Sequence, residues 1–274
     1  MAVSEEIKKI KLELEKHNRL YYEDDSPEIT DAEYDALYAR LKELEKNSNS
    51  DAEDSPTKKV GGKAKRSFEK HNHLKPMLSL NNVFSEEEFK KFDERVEKWV
   101  SEDNTVYSVE PKFDGIGISI TYEKGNLVRA VTRGDGLTGE LVTENILQIE
   151  KIPKKIRLNA PDIIELRGEI FFGLKDFEKI NNELEKANGK KFVSPRNAAA
   201  GTIRNLDTEI VKSRPLDIFF YGIGGHSDDF TINAHEDFIK YLKDNHFPVN
   251  DLINFCKKTH VQGQVQKILS SRES

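Results

Sequence analysis

Two stretches near the N-terminus repeat apolar residues with the spacing of one helical face. In the first, over residues 3–22, these positions are Val3, Ile7, Ile10, Leu14 and Tyr21. The second begins at Thr30-Asp31-Ala32-Glu33, which fits a capping box in which Thr30 caps the helix and Glu33 reaches back. Together they predict a helical hairpin over residues 1–46, and the polar residues 47–67 that follow predict a linker.

Beyond residue 84 the pattern changes from one further helix to a series of strands. Ser85-Glu86-Glu87-Glu88 fits a second capping box and predicts a helix to about Val100. Five segments then have the alternation and composition of strands, at 105–109, 115–122, 127–132, 163–172 and 217–223. More helix is predicted at 174–188, at 195–206 and over most of 234–274. The chain is therefore predicted to place an α+β domain after a small helical one.

Composition favours a cytoplasmic protein. Of 274 residues, 36% are apolar and 34% are charged, no apolar run approaches a membrane span, and the charged N-terminus is not typical of a signal peptide. Cys256 is the only cysteine, which excludes disulfides and cysteine metal sites within the chain. The net charge of −6 is not typical of a stand-alone nucleic-acid binder. Residues 1–60 hold 16 Asp/Glu and 10 Lys/Arg, so the remainder is nearly neutral, and any nucleic-acid contact would use local arginines or parts beyond this chain.

Lys112 stands out because it lies in "VEPKFDGIGISI", residues 109–120, at the edge of an apolar alternation. There, three isoleucines share one strand face, and small residues from Gly115 to Ser119 leave the other face nearly bare, so that a ligand could lie against the backbone. A lysine amine attacks phosphorus or a carbonyl carbon once desolvation or nearby cations lower its pKa. The alternative is that Asp114-Gly115 forms a hairpin turn and Lys112 is a surface residue beside it.

Two more segments have charged or glycine-rich patterns. In "ELRGEI", Glu165, Arg167 and Glu169 share one strand face. This arrangement suits ribose hydroxyls or a hydrated metal ion, and it equally suits a solvated, self-neutralising face. "TRGDGLTGE", residues 132–140, lacks both the G-K-[ST] ending of a phosphate-binding P-loop and the G-x-G-x-x-G spacing of a dinucleotide fold, and its pattern favours a long hairpin loop.

"SPRNAAAGTIRNLD" predicts a helix whose N-terminus suits a phosphate. Ser194 can cap the helix and Pro195 suits its first position. Arg196 then lies where the helix dipole and free N–H groups favour an anion. A tight core helix, made narrow by three alanines, is the alternative.

The N-terminal hairpin combines acidic and aromatic residues. Asp31 and Asp35 are four residues apart and share a helix face, with Tyr21, Tyr22 and Tyr34 nearby. Acids with aromatic rings suit a flat, positively charged ring. The alternative is that the tyrosines pack the hairpin together.

Eight motifs, in their order along the chain, resemble those of the bacterial NAD-dependent DNA ligases. They are "YYEDDSPEITDAEYDALYARLKELE", "DSPTKKVGG", "HLKPMLSLNNVF", "VEPKFDGIGISI", "TRGDGLTGE", "ELRGEI", "SPRNAAAGTIRNLD" and "RPLDIFFYGIG". The resemblance covers essentially the whole chain. The acidic and aromatic hairpin is the discriminating motif, since ATP-dependent ligases and RNA-capping enzymes share the K-x-D-G lysine but lack the hairpin.

The resemblance implies an α+β fold in two parts. Residues 1–60 would form a helical NMN-binding subdomain and linker, and residues 61–274 a nucleotidyltransferase (ATP-grasp-like ligase) domain of antiparallel sheets with flanking helices. It also implies a DNA ligase of replication and repair. Lys112 would attack the α-phosphorus of NAD, release nicotinamide mononucleotide (NMN) and keep AMP as a phosphoramidate, which then activates the 5′-phosphate of nicked duplex DNA, with Mg²⁺ neutralising the phosphates.

The resemblance also assigns site residues, with Lys112 as nucleophile and Asp114 orienting it. The nicotinamide nucleotide would be held by Tyr21, Tyr22, Asp31, Tyr34 and Asp35. The AMP pocket would be lined by Ser79, Leu80, Glu110, Arg133, Glu169 and Tyr221, with Tyr221 stacked on adenine. Arg196 and Arg204 resemble arginines that contact the phosphates of AMP and of the DNA nick. No metal ligand is assigned.

Members of this family carry further segments after the helix that ends near "SSRES", including a strand with D-G-x-V-I-K and a zinc module. We therefore expect an N-terminal fragment, truncated within its adenylation domain and impaired in nick sealing, with Zn²⁺ only in the missing part. The alternatives are a truncated nucleotide-binding module without chemistry and an RNA ligase or capping-type nucleotidyltransferase. We further expect a monomer that does not contact membranes.

Overall fold

The fold is taken from a computed structural model, which describes residues 2–22, 28–29, 31–48, 68–100 and 105–271. Its helices are α1 (Ala2–Tyr22), α2 (Asp31–Ser48), α3 (Glu86–Val100), α4 (Thr143–Leu147), α5 (Leu174–Lys186), α6 (Pro195–Ile203), α7 (Thr208–Ser213), α8 (His235–Asp244) and α9 (Lys258–Ser270). Its strands are β1 (Lys70–Asn72), β2 (Val106–Val109), β3 (Ile116–Glu123), β4 (Asn126–Thr132), β5 (Thr138–Glu140), β6 (Ile163–Phe171), β7 (Asp217–His226) and β8 (Asn254–Lys257). Helices and antiparallel strands together confirm the predicted α+β class.

The predicted helical hairpin is present as α1 and α2, which pack through a small apolar core. Its buried residues are Ile7, Ile10, Leu14, Leu41 and Leu44. The helical spacing of these residues puts them on facing sides of the two helices. Ion pairs border the core, with Lys11 Nζ 2.7 Å from Glu45 Oε1 and Arg40 Nη2 3.0 Å from Glu6 Oε1. The predicted cap Thr30 and most of the predicted linker lie outside the described residues.

The larger unit is organised by a four-stranded antiparallel sheet in the order β4-β3-β6-β7. Ile118 lies opposite Gly168, and Ile120 lies opposite Leu166 across the β3–β6 pair. Side chains on one face of this sheet join those of helices α4 to α8 in a single hydrophobic core. The opposite face of β3 carries the small residues, as the alternation predicts.

Two small sheets accompany the central one, and they correct two predictions. Residues 132–140 are not a plain hairpin loop, because β5 pairs with the distant β1. Residues 234–274 are mostly helical, as predicted, with β8 between α8 and α9 and paired with β2. Asp114-Gly115 is not a hairpin turn, because β2 belongs to the small sheet with β8 while β3 belongs to the central sheet.

The cap of α3 forms in part as predicted. The Glu88 backbone N–H donates to Ser85 Oγ at 3.2 Å. The Glu88 carboxylate reaches back one residue further than a capping box requires, and it accepts from the Phe84 N–H at 2.7 Å. Helices α4 and α7 were not predicted, because five or six residues are too few to show a helical period. In the described part of the chain, no helix is long and apolar enough to cross a membrane.

Candidate active site

The segment that carries Lys112 and Asp114 runs from the small sheet to the central one and is held on either side of the lysine. Phe113 packs against Phe171 and Phe219, with ring centroids 5.4 Å and 4.7 Å away. Gly115 passes so close to β6 that a Cβ there would lie 2.1 Å from the carbonyl oxygen of Ile170. The backbone is thus fixed while the Lys112 side chain stays exposed.

Glu169 is the electrostatic centre of this region. Burial raises the pKa of its carboxyl group, Arg196 and then Lys112 act to lower that pKa, and Asp114 acts to raise it. The N–H of Gly115 also donates to Glu169. Asp114 Oδ1 in turn lies 3.1 Å from Arg196 Nη1. Two cations and two carboxylates therefore surround the point where β3 begins.

The charged face of β6 is confirmed, and it is not a solvated face. Glu165 is buried, and the Arg167 side chain is only 16% exposed. Leu166 lies on the opposite, core side of the strand and is fully buried. A Cβ at Gly117 would lie 3.5 Å from Glu169 Oε2 and 3.4 Å from the Cβ of Arg133, so the bare face of β3 is covered by site residues.

Tyr221 lies beside these charges on β7. Burial is the largest cause that raises the pKa of its phenol to about 12, and Glu169 adds to the rise. Arg133 and Arg167 act in the opposite direction, so both cations lie close to the phenol. Arg133 Nη2 also donates to Ser79 Oγ at 3.1 Å. The structure therefore brings together Ser79, Arg133, Arg167, Glu169 and Tyr221.

Leu80 and Glu110 lie at the margins of this group. Leu80 is 77% exposed. The Glu110 carboxylate accepts from the Ser108 hydroxyl at 3.1 Å, and it lies 3.4 Å from His235 Nε2. His235 was not predicted, because it is contributed by α8, more than a hundred residues further along the chain.

Helix α6 has the predicted start and the buried alanines of the alternative, while the phosphate at its N-terminus stays a prediction. Ser194 Oγ accepts from the Asn197 N–H at 3.2 Å, and Pro195 is the first helical residue, as predicted. The alanines are buried in the core, as the alternative proposed. Arg204 is not brought together with Arg196. It lies at the other end of the helix, about 12 Å along the axis, and its Nε lies 2.6 Å from the buried Glu140 Oε2.

For the N-terminal hairpin, the structure supports the packing alternative at one position. The Tyr34 hydroxyl donates to Asn18 Oδ1 at 2.9 Å, and its ring stacks on Tyr38 with centroids 6.4 Å apart. Asp35 is exposed. The side chains of Tyr21, Tyr22 and Asp31 lie outside the described residues, although their backbones belong to α1 and α2.

His73 is a second residue that the sequence did not single out. Its Nδ1 lies 3.3 Å from Ser119 Oγ, and its Nε2 lies 3.0 Å from the carbonyl oxygen of Arg133. It therefore fixes the backbone from which the Arg133 side chain extends. The only sequence signal was its position at the start of "HLKPMLSLNNVF".

The fold and the site together define an α+β domain in which an exposed lysine lies among charged side chains beside an antiparallel sheet. Comparison with known proteins gives the family. Residues 65–274 match the family model described as NAD-dependent DNA ligase adenylation domain. Residues 1–61 match the model described as DNA ligase-like, N-terminal NAD+-binding domain. The chain belongs to the NAD-dependent DNA ligase family.

Individual relatives agree with this assignment. The DNA ligase of Citrifermentans bemidjiense is 43% identical over 256 residues, which is 92% of this chain and 38% of that protein. The DNA ligase of Endomicrobium trichonymphae is 42% identical over 249 residues, covering 90% of this chain and 37% of that protein. The DNA ligase of Thermotoga neapolitana is 43% identical over 256 residues, covering 93% of this chain and 36% of that protein. The chain thus spans well under half the length of these relatives.

Proposed function

We propose that Lys112 is the nucleophile of NAD-dependent self-adenylation. The Lys112 amine attacks the α-phosphorus of the adenylyl half of NAD. A nitrogen–phosphorus bond forms, the nitrogen releases a proton to solvent, the bond from that phosphorus to the bridging diphosphate oxygen breaks, and NMN leaves with the electron pair. The observation that carries the proposal is that Lys112 and Asp114, on a held segment between two sheets, lie beside Glu169 of β6 and Arg196 of α6.

The charges around Lys112 suit the separate parts of an adenylate. Arg196 lies in the first turn of α6, where free N–H groups and the helix dipole favour a phosphate. Glu169 would accept hydrogen bonds from ribose hydroxyls. Tyr221 would stack on adenine, with a phenol whose pKa of about 12 keeps it neutral. Asp114 would orient Lys112 and release Arg196 to the phosphate.

The margin residues complete the proposed AMP pocket. Ser79, held by Arg133, would close one side together with Leu80. Glu110, with His235, would line another. Arg204 would contact a phosphate of AMP or of the nick only after leaving Glu140, because the two are paired at 2.6 Å.

On the N-terminal hairpin, the nicotinamide nucleotide would be held by Tyr21, Tyr22, Asp31, Tyr34 and Asp35. The support is chemical, because nicotinamide in NAD is a pyridinium cation and carboxylates with aromatic rings attract such a ring. We propose that residues 1–60 form this unit and that residues 61–274 form the adenylation domain.

We further propose that the whole protein transfers AMP to the 5′-phosphate of nicked duplex DNA, and that the neighbouring 3′-hydroxyl then displaces AMP. Such sealing serves DNA replication and repair, and we propose that the protein acts in the cytoplasm as a monomer.

Mg²⁺ would assist this chemistry by neutralising the phosphates. Among residues 2–22, 28–29, 31–48, 68–100 and 105–271 no group of three or more His, Cys, Asp or Glu could hold a metal ion. The ion would bind mainly through phosphate oxygens, as Mg²⁺ commonly does.

The test is incubation of the chain with NAD and Mg²⁺, followed by intact-mass and peptide mass spectrometry. We expect one AMP adduct on Lys112, none in Lys112→Ala, and none when ATP replaces NAD. An adduct from ATP but not from NAD would contradict the cofactor assignment. If NAD or NMN raises the unfolding temperature but no adduct forms, this chain is a binding module without chemistry.

A further inference from the structure

Residues 73–80, which we call the strap, lie across the polar face of the central sheet and end at Ser79 and Leu80. The His73 N–H donates to the carbonyl of Leu137 at 3.0 Å, and the Met77 N–H donates to that of Gly136 at 2.8 Å. These bonds hold the strap against the loop between β4 and β5. Against the sheet itself, His73 Nδ1 contacts Ser119 Oγ on β3 at 3.3 Å.

A buried ion pair on β6 attaches the next two residues of the strap to the sheet. Glu165 Oε2 accepts from the Leu74 N–H at 2.9 Å, and Arg167 Nη2 donates to the Lys75 carbonyl at 2.7 Å. Arg167 Nη2 also lies 3.6 Å from Glu165 Oε1. Two consecutive residues of the strap are therefore bound by one acid and one base that are neighbours on a single strand face.

The pair is costly for stability, since two of its buried atoms have no hydrogen-bond partner. Glu165 is 1% exposed, and among the described residues its Oε1 and the Nε of Arg167 find no partner. Buried ion pairs with incomplete hydrogen bonding often contribute less to stability than apolar residues of the same volume. Stability therefore does not account for the pair.

The surroundings make room for this carboxylate. A Cβ at Gly224 would lie 1.9 Å from Glu165 Oε1 and 2.7 Å from its carboxyl carbon. Only a residue without a side chain fits on β7 at that point. Arg167 also lies close enough to Tyr221 to act on its phenol, so the pair borders the proposed AMP pocket.

We propose that Glu165 and Arg167 are positioning residues that hold the strap so that Ser79 and Leu80 close on the adenine nucleotide. The inference rests on the proposed function, because it names how that site is shaped. The pair itself does not touch the nucleotide. It acts through the backbone of Leu74 and Lys75.

The main test variant is E165M/R167M, which removes both charges and both hydrogen bonds to the strap while nearly keeping the side-chain volumes. AMP affinity is measured by calorimetry, and stability by thermal unfolding. Loss of the anchor should weaken AMP binding at least about fivefold, the equivalent of one hydrogen bond, without a matching loss of stability. A purely structural pair would move only the unfolding temperature. AMP affinity within fivefold of the wild type would overturn the inference.

A second variant, Gly224→Ala, displaces the Glu165 carboxylate without removing it, and the same fivefold loss of AMP affinity is expected. The control is Asp217→Asn, which breaks an ion pair with Lys151 on the same sheet at the surface. It should leave AMP affinity unchanged, and an equal loss in this control would overturn the inference.

Amide hydrogen exchange separates this inference from the proposed function. In E165M/R167M we expect faster exchange at Leu74 and Met77 than in the wild type, measured without ligand. Unchanged exchange at both amides would overturn the anchoring. If the wild type binds no AMP, the proposed function falls together with the nucleotide part of the inference, while the exchange rates still decide whether the pair holds the strap.

Discussion

Glu169 shows at the scale of one residue how a site can oppose stability. It is largely buried, and burial outweighs the attraction of Arg196 and Lys112, so its carboxyl pKa is raised above the ordinary value of 4.5. A raised carboxyl pKa means that the folded protein holds the proton more tightly than the unfolded chain. Above that folded pKa, the ionised group therefore lowers the free energy of unfolding.

We expect Glu169→Gln to raise the free energy of unfolding at pH 7, by about 1 kcal/mol, since it keeps the shape and removes the buried charge. The gain should shrink as pH falls through the raised folded pKa towards 4.5, because the wild-type carboxyl then becomes protonated in the folded state and the buried charge is lost. Urea unfolding of the variant and the wild type at pH 7 and at pH 4.5 measures the difference in their unfolding free energies. Lower stability of the variant at pH 7 would contradict this account, and AMP binding should weaken regardless.

Gly115 gives a second prediction at the residue scale. Gly115→Ala places a Cβ 2.1 Å from the Ile170 carbonyl oxygen, so the segment bearing Lys112 must move off β6. We expect a loss of about 1–3 kcal/mol in unfolding free energy, as for overpacking, and loss of the Lys112 adduct.

Gly263→Ala is the matched control for this change. Gly263 lies within α9, and a Cβ there would meet nothing within 4 Å. Alanine should stabilise that helix by up to about 1 kcal/mol. Similar unfolding curves for the two variants would contradict the close approach of Gly115 to β6.

At the scale of elements, α3, β2 and α9 are joined through Asp93, which is 7% exposed. Tyr107 donates a short hydrogen bond to its carboxylate, and Lys258 Nζ lies 3.0 Å from Asp93 Oδ2. The bond from Tyr107, and then Lys258, lowers the pKa of Asp93. The strand that leads towards Lys112 is thus tied to two helices.

We expect Asp93→Asn to lower the free energy of unfolding at pH 7 by about 1–2 kcal/mol, the contribution of a hydrogen bond to a charged group. Because the folded pKa is depressed, the stabilisation is present above the unfolded value of 3.8 and is lost as pH falls below it. Asp244→Asn, in an exposed pair with Lys240, should change stability by less than about 0.5 kcal/mol. Equal effects of the two substitutions would be inconsistent with a stabilising contact of Asp93 with Tyr107 and Lys258.

Sequence alone predicted the long periodic elements and failed on the short ones, for a physical reason. Helices α1 and α2 and strands β3 and β6 carry their own period. The three residues of β1 pair with β5 almost seventy positions away, and β8 pairs with β2 from still further, so no local pattern marks them. The same limit holds in the site. The alternation on β6 predicts its charged face, but nothing in the local sequence predicts that Arg204 forms an ion pair with Glu140.

For the whole molecule, the pH dependence of stability above neutrality should report Lys154. Its Nζ donates to the carbonyls of Ile146 and Ile149 at 3.0 Å and 2.6 Å, and burial lowers its pKa to about 8. Between pH 8 and the ordinary value of 10.5, the unfolded chain binds more protons than the folded one. Stability contributed by this group therefore rises with pH over that window.

We expect Lys154→Met to remove that rise, so that its unfolding free energy changes less between pH 8 and 9.5 than that of the wild type. Lys243→Met, at an exposed position on α8, is the control and should keep the wild-type slope. Denaturant titrations at a series of pH values give both slopes. A wild-type slope in Lys154→Met would show that other groups set the pH dependence.

The strand order β4-β3-β6-β7 has a consequence for synthesis on the ribosome. The proposed pocket draws on residues from Ser79 to His235, and the last strand of the central sheet ends at His226. A nascent chain that has not yet released β7 from the exit tunnel lacks one wall of the pocket. Because chains emerge from their N-termini, adenine nucleotide can stabilise only molecules whose central sheet is already closed. Nucleotide capture by stalled chains of increasing length would therefore time the completion of this domain.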